Sequence, residues 1–74
     1  MIGLTDAEFE FIVSRVVANA YDALKEAEQN KDDFYKGRKF AYYEVLNTIK
    51  NELIVREQEL NKYNLDIDLE KIFY

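Results

Sequence analysis

Seventy-four residues carrying a net charge of −5, with no cysteine and no histidine, make one small domain that lacks a disulfide framework and the usual thiolate and imidazole metal ligands. An apolar share of 49% is too high for an acidic disordered segment, while the negative charge works against phosphate backbones and anionic lipid. No basic and apolar leader occurs in MIGLTDAEFEF and no run is long enough for a bilayer, so the expectation is a cytoplasmic protein without membrane contact.

The first element begins at LTDAEF, residues 4–9. Thr5 is placed to cap a helix, Glu8 to reach back to the Thr5 amide, and Leu4 and Phe9 to form a hydrophobic staple. Asp6 and Glu8 suit the positive end of the helix dipole. From Phe9 to Ala27, apolar residues recur every three or four positions and predict a helix over 6–29. They cover about 180° of the wheel, against the roughly 100° that packing on one partner requires. Phe11 falls on the opposite side, as an exposed ring or part of a separate contact.

EAEQNKDDF, residues 26–34, is the most polar stretch and predicts a turn, with Asn30, Asp32 and Asp33 as alternative caps for the next helix. A second helix is expected over 33–63 on a heptad reading: Leu46, Leu53 and Leu60 on one seam position, Tyr42, Ile49, Arg56 and Tyr63 on the other. Gly37 is a weak point where the helix bends or begins. Arg56 at the seam reads first as a snorkelling side chain paired to Glu52 or Glu59, and second as an ion pair across a dimer axis. Beyond Tyr63, NLDIDLEKIFY predicts a short helix or tail over 66–73, capped by Asp66 or Asp68. In an antiparallel hairpin Leu60 and Tyr63 overhang the first helix, and the tail either folds back over that overhang or reaches across to another subunit.

The fold class that follows is all-α: an antiparallel helical hairpin with a short C-terminal helix or tail, one domain over residues 1–74, dimerising into a four-helix bundle. Both helices carry apolar faces wider than one partner covers, so a homodimer is expected. The expected core is Phe9, Val13, Val16, Ala20, Leu24, Tyr42, Val45, Leu46, Ile49, Leu53 and Leu60. Contacts between chains are assigned to Val17, Tyr21, Phe40, Tyr43 and Ile54.

Little in the chain points to chemistry. Asp22 with Glu26, and Glu52 with Glu59, share helix faces, but a bundle di-iron site draws on Glu-x-x-His and no histidine exists. No nucleophile has a visible base, and two glycines, Gly3 and Gly37, do not make a phosphate loop. The expectation is no enzyme, no cofactor and no metal site. FYKGRKFAYYEV, residues 34–45, crowds five aromatics and three cations around Gly37. Its rings read as dimer core, and Tyr35, Lys36, Arg38 and Lys39 as a candidate patch for a partner.

GRKFAYYEVLNTIKNEL, Gly37 to Leu53, resembles a pattern found in short uncharacterised α-helical hairpin proteins of bacteria and their phages. The resemblance covers under a quarter of the chain and implies a soluble helical hairpin of bacterial or phage origin; it carries over no site residue. The expected function is a small non-catalytic interaction or regulatory module that acts as a homodimer and binds a larger bacterial protein. Two alternatives stand beside it: an acidic inhibitor that imitates DNA, and a weak nucleic-acid binder through Lys36, Arg38 and Lys39.

Overall fold

A computed structural model describes residues 3–74; Met1 and Ile2, the first two residues of the expected domain, lie outside the described residues. Two long helices, α1 (Asp6–Gln29) and α2 (Asp33–Val55), form an αα-hairpin. A single 3₁₀ turn (Leu60–Tyr63) and a five-residue helix, α3 (Leu69–Phe73), complete the chain, with no strand among the described residues. The capping box at Thr5 is formed in both directions: the Glu8 amide donates to Thr5 Oγ1 at 3.1 Å and the Thr5 amide to Glu8 Oε1 at 3.0 Å. These bonds, the Thr5 backbone amide first, hold the Glu8 carboxyl below the usual range. Of the three alternative caps for α2, Asp32 serves, accepting from the Phe34 amide at 2.9 Å.

The expected second helix over 33–63 is corrected at its C-terminal end, because α2 stops at Val55. Glu57 adopts a left-handed conformation (φ 56°). Its amide bonds to the Ile54 carbonyl at 3.0 Å, and the Gln58 amide bonds to the Leu53 carbonyl at 2.9 Å. That is a Schellman stop, which satisfies the last carbonyls and turns the chain. A second one follows at once: Asn64 has φ 59°, and the Leu65 amide bonds to the Leu60 carbonyl at 3.0 Å. Leu60 and Tyr63 therefore do not extend the heptad; they sit on a separate turn that points the chain back along the hairpin.

The returning segment is pinned at both ends by rings. Tyr63 meets Phe9 edge-on at 5.6 Å near the start of α1, while Phe73 meets Tyr21 at 5.5 Å two-thirds of the way along it. The tail thus runs parallel to α1 and antiparallel to α2. Asp68 caps α3 through the Lys71 amide at 3.3 Å, and the Lys50 ammonium donates to the Ile67 carbonyl. Tyr63, Leu65, Leu69 and Phe73 join Val13, Val17, Ala20, Leu46 and Leu53 in one core.

Several expected burials change as a result. Val17, expected between chains, is 4% exposed inside the chain's own core, because the tail covers that side of α1. Phe9 and Val45, expected in the core, are 38% and 48% exposed. Ala23 and the tail residues take their place. Burying a leucine or phenylalanine contributes about 1.5–3 kcal/mol, so Leu65, Leu69 and Phe73 are a large share of what so small a domain has.

Phe73 is fully buried, and Phe73→Ala is expected to cost about 3–5 kcal/mol, seen in urea denaturation as loss of most of the folded baseline. Glu57→Gly removes a side chain from a left-handed position and is expected to stabilise by about 0.5–1 kcal/mol, read as a higher denaturation midpoint at unchanged slope.

Candidate functional surfaces

The stretch 34–45 does not form one patch, because a helix distributes its rings and cations around its axis. Arg38 turns toward α1 and donates to Glu26 Oε2 at 2.6 Å, with its guanidinium 5.7 Å from the centre of the Tyr42 ring. That pair ties the C-terminal end of α1 to the N-terminal end of α2 and takes Arg38 out of the expected partner patch. Tyr35 is half-buried and stacks edge-on against Phe34 at 5.2 Å.

Lys36 and Lys39 lie on the tail side instead. They border a cavity of about 320 Å³ whose walls include Phe40, Tyr74 and Glu28. Among the described residues neither lysine has a carboxylate within ion-pair distance. Phe40, Tyr43 and Tyr74 form a triangle of rings with centroids 5.6 to 5.7 Å apart. Of the five residues assigned to contacts between chains, Tyr21, Phe40 and Tyr43 therefore touch the chain's own tail, Val17 is core, and Ile54 is exposed. The short C-terminal helix and its Asp68 cap were legible in the sequence; the signal missed was the face made by Leu65, Leu69 and Phe73, spaced at four and buried.

Opposite the tail, the groove between α1 and α2 has no cover. Ile12 and Val45 are exposed there, and Val16 and Ile49 are half-buried. At the α1 N-terminal end this groove deepens into a depression of about 380 Å³ walled by Phe9, Ile49 and Leu53 and rimmed by Thr48, Glu52 and Arg56. Arg56 pairs with Glu52 at 2.7 Å on that rim, which is the first of the two roles expected for it. No three acidic side chains among the described residues come together as a metal site, and no helix among them is long and apolar enough to cross a membrane.

The molecule is larger in surface than its mass requires. Its accessible area is 5562 Å², against about 4,800 Å² for a compact monomer of 8.8 kDa. Its radius of gyration is 13.4 Å, against about 11 Å for a compact chain of this length. Both measures reflect an elongated shape, 43 × 24 × 16 Å.

Compared with known proteins, the chain matches no family model, no curated protein and no solved structure.

Tyr43 gives the tail a chemical reporter. Burial, then the charges of Glu70, Tyr74 and Asp68, push its phenol above the ordinary tyrosine range. The neutral phenol is favoured in the folded chain, so its contribution is complete below the ordinary tyrosine range and is lost as pH rises through the elevated value. Urea denaturation at stepwise alkaline pH is expected to show this loss in the parent and a shallower one in Tyr43→Phe; identical slopes would mean that the tail does not cover Tyr43.

Proposed function

We propose that the protein is a small non-catalytic interaction module that acts as a homodimer, two hairpins packing into a four-helix bundle through the faces opposite their tails. The observation that carries this reading is the uncovered groove of Phe9, Ile12, Val16, Val45 and Ile49. Apolar surface of that extent on a 74-residue chain is stabilised by a partner or by nothing, and contiguous exposed apolar patches mark interaction sites.

A second copy is the partner the geometry favours. A stable interface buries about 800 Å² per subunit, and the molecule's longest extents of 43 and 24 Å leave room for a contact of that size. Two hairpins laid face to face also bring four helices around one core, the arrangement in which a two-helix layer buries both of its sides.

The dimer leaves the opposite, tail-bearing surfaces outward. The cavity beside Lys36 and Lys39, with the Phe40, Tyr43 and Tyr74 rings, is then the surface offered to a partner other than the protein itself. Tyrosine is enriched among the residues that dominate interface energies, and Tyr43 and Tyr74 stand on this surface. Nucleic acid is disfavoured, since Arg38 is already paired and the net charge is −5.

Sedimentation equilibrium is expected to give twice the chain mass. Val45→Glu and Ile12→Glu change side chains that the single chain leaves exposed, so each should yield a folded monomer with unchanged far-ultraviolet circular dichroism. Val17→Glu places a charge in the core and should unfold the chain instead. A parent protein that sediments as a monomer at submillimolar concentration would overturn the reading.

A further inference from the structure

α2 carries a second stripe besides the one that faces its own core. Phe34, Ala41, Val45, Thr48 and Glu52 are separated by seven, four, three and four residues, and all five are exposed. At about 100° per residue they fall within roughly 60° of one another. The stripe has a protruding end and a receding end. Phe34, at 66% exposure, stands out at the N-terminal end, and the depression walled by Phe9, Ile49 and Leu53 opens at the C-terminal end. Midway lie Ala41 and Val45.

We infer, building on the self-pairing reading above, that two copies of α2 pack antiparallel about a two-fold axis between Ala41 and Val45, each seating its Phe34 ring in the other's depression. A two-fold contact requires that every feature meet its complement at the same distance on the far side of the axis. Phe34 and Glu52 satisfy this about the same midpoint as Ala41 and Val45. Pairing Ala41 with the partner's Val45 therefore brings Phe34 onto the partner's Glu52 at the rim of the depression, about 14 Å from the axis at 1.5 Å per residue.

Size and charge agree with that register. The depression, about 380 Å³, is roomy enough for a phenyl ring, and burying such a ring removes about 150–250 Å² from water. Ala41 at the axis allows helices to approach within the 8–10 Å of ordinary packing. Asp32 and Asp33 immediately precede Phe34, so seating the ring carries two carboxylates toward the partner's Arg56. The Arg56 side chain is 63% exposed and engages Glu52 through one nitrogen, leaving its guanidinium with further donors to offer. Each depression is complete only when the second chain supplies the ring.

The chain has no cysteine, so introduced thiols report unambiguously. Ala41→Cys and Val45→Cys chains, mixed under mild oxidation, are expected to form the mixed disulfide dimer in several-fold excess over either self-linked dimer. Phe34→Ala removes an exposed ring and should leave the fold intact while raising the dimer Kd about 10- to 100-fold. Phe11→Ala, on the outer side of α1, should leave the Kd unchanged. A dimer that persists with Phe34→Ala at parental Kd, or that links preferentially through like positions, would overturn this arrangement while leaving self-pairing in place. A monomeric parent would remove both.

Discussion

The return of the C-terminal segment over one side of the hairpin is the contact on which the remaining features depend. Two antiparallel helices present two grooves, one on each side of the plane through their axes, and the C-terminal segment lies over one of them. Leu65, Leu69 and Phe73 close one, and with Val17 and Leu46 they make it the core. The other groove keeps Phe9, Ile12 and Val45 in contact with water. The asymmetry between a covered and an uncovered side is thus a consequence of having one tail for two grooves.

That return depends in turn on two local backbone decisions. Without the left-handed residues at Glu57 and Asn64, α2 would continue along its heptad and carry Leu60 and Tyr63 past the end of α1. Neither position is glycine, so each accepts some conformational cost. The compensation is tertiary: Tyr63 lands on Phe9, and the residues after it reach the groove. Local strain at the turn and burial of the tail are parts of one energetic exchange, and the Lys50 bond to the Ile67 carbonyl holds the segment between them.

The same closure redistributes the aromatic and basic stretch at the start of α2. Arg38 faces the hairpin and pairs with Glu26; Lys36, Lys39 and Phe40 face the tail; Phe34 and Ala41 face away from both. A cluster that is contiguous in sequence therefore serves three surfaces. One is the half-exposed Arg38–Glu26 link to α1, one borders a cavity completed by Tyr74, and one lies on the uncovered side where the proposed second chain docks. The proposed functions of the two outer surfaces are compatible because they lie on opposite sides of the slab.

Local sequence established the two long helices, the Thr5 capping box of the first and the apolar periodicity of both. Thr5 with Glu8, Asp32 before Phe34, and the three-and-four spacing of Val13, Val17, Ala20 and Leu24 are local signals, carried by backbone hydrogen bonding and helical periodicity within a few turns. It also revealed that apolar surface exceeds what one hairpin hides. Tertiary structure alone decided which surface is the excess. The heptad continuing through Leu60 and Tyr63 is a sound local pattern, and only the competition between extending a helix into solvent and burying Leu65, Leu69 and Phe73 ends α2 at Val55. Val17 and Val45 are equally apolar in sequence; one is core and the other exposed because the tail, forty residues or more from Val17 along the chain, chose one groove.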